Sequence, residues 1–187
     1  MYRRQIETIL GLDSATKHIT HGVYAMDRLP LQPPVDTATT TAGAYVINTD
    51  DHDMPGSHWV AVYTEQQQRS ARQQYHYNAM DSDDMDDDDD DYVLQHQPES
   101  IAIDYMDSYG RPPMDKRLLK FLGSNYDYNS VALQLPLSNA CGFYCLYFLL
   151  HRARGHCATS IIETLAGVDS DFVVKEYLYS RYKPIFI

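Results

Sequence analysis

The chain has 187 residues, 44% of them hydrophobic, which is enough for a sizeable core in a single domain spanning 1–187. Nine aspartates between Asp81 and Asp91 carry most of the formal net charge of -11, so the remainder is close to neutral. That distribution argues against a surface that binds nucleic acid by neutralising phosphates. The N-terminus, MYRRQIETILGL, has too short and interrupted an apolar run for a signal peptide. No segment is clean enough to cross a bilayer; the best, Phe143 to Leu150, stops at His151 and Arg152. Three cysteines at 141, 145 and 157 form no disulfide framework, so an intracellular, reducing compartment is expected. Cys141 and Cys145 lack a second ligand pair, and no metal site is expected.

Ile6, Ile9 and Leu10 recur at helical spacing over 3–12, and Gly11 ends the run. The stretch from His18 to Pro34 holds three prolines and reads as irregular chain, followed by a Thr-rich turn at 37–41. Buried strands are predicted at 44–48 (AYVIN) and 58–63 (HWVAVY). Residues 65–100 are a different material, rich in Gln and then Asp without apolar period, the composition of a disordered insertion. Strand character resumes at 101–106 (IAIDYM), closed by the turn residues Asp107 to Gly110. The insertion therefore reads as a solvated spacer inflating the loop between two neighbouring strands, which loop-closure entropy tolerates.

A proline-started helix is predicted over 113–122, a fourth strand over 130–135, and helices over 141–154, 159–165 and 169–182. The fold class is α+β: a small sheet packed with helices.

Cys141 opens the longest apolar helix, where unpaired amides and the helix dipole favour a thiolate. A lone cysteine is most often a small buried hydrophobe, and Cys145 and Cys157 are read as core cysteines. Gln134 lies seven residues before Cys141. Folded back over the turn PLSNA, its amide and the Cys141 backbone N–H would form an oxyanion hole. A nucleophilic thiol needs a base, and the base needs an orienting group. His76 and His96 lie in the insertion, and His18, His21 and His52 in loops. His151 is ten helical residues, about 15 Å, from Cys141. His58 stands at the start of a strand predicted to be central. If the strands at 58–63 and 101–106 are antiparallel, Asp107 falls beside it. Asp104 is the rival carboxylate, but it sits inside its strand.

In that order, HWVAVY, MDSYG and QLPLSNACGFYC resemble the adenovirus protease (adenain) family and, more distantly, the ubiquitin-like-protein-specific (SUMO) cysteine proteases of the same clan. HGVYAMDRLP and AYVINTDDHDMPGSHW share the likeness, which covers most of 3–64 and 101–155. The resemblance implies a papain-like, adenain-like fold with Cys141 as nucleophile at the start of a central helix. It implies His58 as base and acid, Asp107 as its orienting group and Gln134 in the oxyanion hole. Trp59 would line a narrow channel for small residues such as glycine, with Asn48 and Gly142 also on the substrate-binding surface.

The implied activity is that of a cysteine endopeptidase cleaving precursor proteins, as in maturation of a virus or virus-like element in a host nucleus or virion. Deconjugation of a ubiquitin-like modifier is the alternative, and an inactive partner-binding domain using the acidic loop a third. Protein substrates are the expected partners. The chemistry itself needs no cofactor. Adenain is activated by a disulfide-linked peptide and by DNA, yet this chain has no cysteine before Gln134 and no strong positive balance, so neither is expected here.

Overall fold

A computed structural model describes residues 1–33, 42–66 and 101–186. The predicted turn at 37–41 and residues 67–100 of the acidic insertion lie outside them. Helix α1 (Arg3–Leu12) leads into strand β1 (Thr20–Ala25), a 3-10 turn (Met26–Arg28), β2 (Ala42–Asn48), β3 (Trp59–Gln66) and β4 (Ile101–Met106). Then come α2 (Lys116–Leu122), the two-residue β5 (Asp127–Tyr128), α3 (Cys141–Arg152), α4 (Ala158–Leu165) and α5 (Ser170–Tyr182). The architecture is α+β, as its sequence pattern implies. No helix among the described residues is long and apolar enough to cross a membrane.

The five strands lie in sequence order, with β1 parallel to β2, β4 parallel to β5, and β3 antiparallel to both of its neighbours. Strands β2 and β3 are buried on both faces, which is why each reads as a nearly continuous apolar run. Ala44, Val46, Ala61 and Tyr63 face α1, α3, α4 and α5, in the cluster containing Ile6, Tyr144, Phe148 and Leu178. Their alternate neighbours Tyr45, Ile47, Val60 and Val62 face α2, through Leu118, Phe121 and Leu122. The sheet is thus the middle layer, with α3 crossing one face.

Two sequence expectations fail on the backbone. The predicted strand 130–135 is irregular chain, with Val131 46% and Leu135 57% exposed and the consecutive Leu133 and Gln134 both buried, which no alternating strand allows. The sheet edge it would need is gone: β4 ends at Met106 and turns away, and the edge is used by β5 against Asp104 and Tyr105. The backbone N–H groups of Leu133 and Gln134 both donate instead to the Ser108 carbonyl, at 2.8 and 2.9 Å. Conversely, β1 forms inside the stretch predicted to be irregular. Only its Val23 is buried, and its register with β2 slips between Thr20 and Gly22, so it leaves little periodic signal.

Smaller shifts occur at element ends. Helix α2 starts three residues beyond Pro113, where the Asp115 carboxylate accepts from the Arg117 N–H at 2.8 Å. Cys157 is exposed rather than in the core, because it precedes α4 instead of lying within it; Cys145 is fully buried, as expected.

Candidate active site

The antiparallel register of β3 and β4 pairs Ala61 with Met106. Continued by one residue, that register sets Asp107 against Val60, two positions from the residue before β3, a diagonal neighbour within reach of a long side chain. That neighbour is His58, and its imidazole Nε2 lies 2.9 Å from Asp107 Oδ1. Both are sheltered, with side chains 14% and 6% exposed. Asp104, the rival carboxylate, is held by Arg152, whose Nε lies 2.8 Å from Asp104 Oδ2. Burial in the sheet interior raises the Asp104 carboxyl, a pull Arg152 only partly offsets.

Each partner is fixed from behind. The His58 carbonyl accepts from the Thr49 N–H at 2.9 Å, closing the β2–β3 loop at its base. Asp107 Oδ1 also accepts from the Tyr109 N–H at 2.8 Å. Asn129 clamps the Asp107 backbone, its Oδ1 accepting from the N–H at 2.8 Å and its Nδ2 donating to the carbonyl at 2.6 Å. Asn129 thus does for Asp107 what a strand partner would do, immediately beyond β5.

On its other side the His58 ring hydrogen-bonds the thiol of Cys141, the first residue of α3. With Nε2 taken by Asp107, this bond falls to Nδ1. Burial opposes a charged imidazole, but the hydrogen bonds and charges of Asp107 and Cys141 outweigh it and push the His58 pKa up to about 9. Burial likewise disfavours the Cys141 thiolate. The imidazole beside it, together with the backbone N–H groups of Trp59 and Gly142, nonetheless brings the thiol below its ordinary value. Both shifts run toward the charged forms, thiolate and imidazolium. Cys145, one helical turn on, has no such partners, and full burial drives its thiol well above the ordinary value.

Gln134 reaches the same place by a different route. Gly110, at φ 67°, closes the turn after Asp107, and a Cβ there would stand 2.6 Å from the Val131 carbonyl carbon. Its lack of a side chain lets residues 131–134 lie against this turn. The Gln134 side chain is then held at both ends: Ser108 Oγ donates to Oε1 at 2.6 Å, while Nε2 donates to the Ser138 carbonyl at 2.6 Å and the Tyr109 hydroxyl at 3.1 Å. Helix α5 anchors the loop from outside. Asp171 accepts hydrogen bonds from the Ser138 hydroxyl and, at 2.8 Å, from the Tyr144 hydroxyl. The Tyr109 ring meanwhile packs on His58, with centroids 5.1 Å apart.

No family model matches the sequence, and no curated protein matches it. Among solved structures the chain is similar to that of the ASFV pS273R protease, at 19% identity and a TM-score of 0.40. The match covers 71% of this chain and 41% of that one, so the chain spans less than half the length of this neighbour.

Of the residues singled out in the sequence, Cys141, His58 and Asp107 meet directly, and Gln134 joins them through Tyr109. Trp59 is partly buried against the core, with its backbone N–H directed at the Cys141 sulfur. Gly142 contributes a second N–H to that sulfur, and its Cα side is covered by Met1: a Cβ would lie 3.0 Å from the Met1 side chain. Asn48 is buried and serves the β2–β3 loop, its Oδ1 accepting from the Asp50 N–H at 2.9 Å. Ser108, Tyr109, Asn129, Ser138 and Asp171 complete the site, and no sequence pattern assigns them to it. The one available signal was the turn chemistry of Asp107-Ser108-Tyr109-Gly110, which marks a bend without saying what it holds.

Proposed function

We propose that the protein is a cysteine peptidase in which Cys141 attacks a peptide carbonyl. One observation carries this reading: a single imidazole bonded on one side to a buried carboxylate and on the other to a thiol at a helix start. The thiolate adds to the carbonyl carbon, and the negative charge moves onto the carbonyl oxygen beside Gln134. The His58 imidazolium then gives its proton to the amine as the C–N bond breaks, leaving an acyl-enzyme. Neutral His58 takes a proton from water, whose oxygen attacks the thioester, and collapse returns the Cys141 thiolate and the imidazolium. Asp107 holds the ring so that Nδ1 faces the sulfur.

Within that class, the resemblance of HGVYAMDRLP, HWVAVY and QLPLSNACGFYC to the adenovirus protease family favours an endopeptidase that processes precursors at glycine-containing sites, with Trp59 lining the approach. The test is a library of glycine-containing peptides run beside ubiquitin-like conjugates. Cleavage of linear peptides alone supports precursor processing. Release of the modifier from an isopeptide conjugate points to deconjugation. Cys141→Ala must abolish either activity; a variant that still cleaves would overturn the assignment.

A further inference from the structure

Beside the Cys141 backbone N–H, the oxyanion site draws on Gln134, whose side-chain amide is fully engaged at rest. A glutamine amide has two N–H groups. Both are already engaged, one with the Ser138 carbonyl at 2.6 Å and the other with the Tyr109 hydroxyl at 3.1 Å. Ser138 will not yield readily. Its carbonyl belongs to a loop whose hydroxyl is bonded to Asp171, and whose N–H closes a turn onto the Leu135 carbonyl at 3.1 Å. The longer bond to Tyr109 is the weaker of the two.

Tyr109 is well placed to do more than hold Gln134. Its hydroxyl is an acceptor toward Gln134, and its own proton is given to the Ser138 carbonyl at 3.4 Å, a long and weak bond. Its ring packs against His58, the residue that also bonds the Cys141 sulfur. The backbone N–H of Tyr109 is pinned on Asp107 Oδ1, and the Arg111 guanidinium lies over the ring, 4.9 Å from its centroid. The side chain is therefore fixed at its base and across its face, while only a long bond holds the hydroxyl hydrogen at its tip.

Resting on the peptidase reading above, we propose that the Tyr109 hydroxyl is a further catalytic donor, turning from the Ser138 carbonyl to hydrogen-bond the oxyanion formed when Cys141 attacks. Gln134 releases its 3.1 Å bond in the same movement and supplies the second side-chain donor. No proton is transferred in this step; two hydrogen bonds change acceptor. Tyrosine suits the position because its hydroxyl both holds the Gln134 amide before attack and replaces that interaction afterwards.

The test is Tyr109→Phe, which keeps the ring on His58 and removes only the hydroxyl. Three readings are compared with wild type: hydrolysis of a fluorogenic Gly-Gly peptide, inhibition by a peptide aldehyde ending in Gly-glycinal, and alkylation by iodoacetamide, read at Cys141 by peptide mass because Cys157 is also exposed. Hydrolysis and aldehyde binding both leave the former carbonyl oxygen on a tetrahedral carbon; alkylation does not. The expected result is a loss in kcat on the order of a hundredfold with KM little changed, and weaker aldehyde binding. The alkylation rate and its pH profile should match wild type, which also shows that the variant is folded. Full hydrolytic activity in the variant would overturn the proposal, as would a matching loss in alkylation, which would mean the hydroxyl acts on the thiolate–imidazolium pair. If wild type neither cleaves the peptide nor binds the aldehyde, the peptidase reading itself has failed.

Discussion

His58 and Asp107 stand 49 positions apart in sequence and meet across 2.9 Å because one immediately precedes β3 and the other immediately follows β4. The contact is a property of strand register, so its two members can be altered without disturbing the sheet. Asp107→Asn should separate geometry from charge. The side-chain oxygen stays fixed by the Tyr109 N–H at 2.8 Å and can still accept from His58, but the negative charge is gone. His58 then loses one of the two partners that raise its pKa to about 9, and its alkaline limit moves to lower pH. We expect peptide hydrolysis at neutral pH to fall on the order of a hundredfold, with a lower denaturation midpoint at and below pH 6.5, where the charged imidazole is stabilised by Asp107. Steady-state kinetics across pH would show whether the limit shifts.

The raised imidazole and the lowered thiol set a window for reactivity. Iodoacetamide alkylation should grow as pH rises through the Cys141 value, which lies below the ordinary 9.0. Peptide hydrolysis should fade as His58 loses its proton near about 9. Stability follows the same group. Because the folded pKa of His58 exceeds its unfolded 6.5, the stabilisation from its charged bonds is complete below 6.5 and is lost as pH climbs through about 9. Cys141→Ala removes one of the partners responsible. In that variant the loss of stability should therefore begin at lower pH, as urea midpoints measured over the range would reveal.

Leu137 tells a separate story about the loop between Gln134 and Cys141. It is fully solvent-exposed and sits at φ 65°, at the third position of a turn closed by the Ser138 N–H on the Leu135 carbonyl. Local physics prefers glycine there. Relief of left-handed strain is worth about 1–2 kcal/mol, against ~0.4–1 kcal/mol of added entropy in the unfolded chain. Leu137→Gly should therefore stabilise the protein by up to about 1 kcal/mol, seen as a higher urea midpoint at constant slope. An unchanged alkylation rate would show that the loop still presents Cys141. A lower midpoint would mean the leucine side chain makes contacts its exposure conceals.

Legibility in the sequence divides by mechanism. Strands β2, β3 and β4 and helix α3 are readable because buried apolar runs leave a pattern in one dimension. His58, Asp107 and Cys141 are readable because each marks the end of such a run. The seven-residue gap from Gln134 to Cys141 is readable too, but the reason for it is not. SVALQL looks like a strand, yet its N–H groups bond Ser108 and its neighbour Asn129 clamps Asp107. Such pairings join polar residues from distant segments, and polar side chains at turns carry no period. Asp171 on α5 is the extreme case: it holds Ser138 from 33 positions away and nothing local announces it.

The β3–β4 connection offers the last prediction. Gln66 pairs with Ile101 at the closing end of the hairpin, and His58 and Asp107 occupy the opposite end. Eight residues of β3 separate the two ends, roughly 25 Å at strand rise. The paired positions 66 and 101 are spaced to accept a tight hairpin turn, so residues 67–100 can be replaced by Asn-Gly without changing the register. Loop closure becomes slightly cheaper with the shorter connection. The shortened protein should keep wild-type kcat on small peptides and the same iodoacetamide profile, with an equal or higher denaturation midpoint. A loss of peptide cleavage while the thiol still alkylates normally would show that the connection takes part in substrate engagement rather than serving as a spacer.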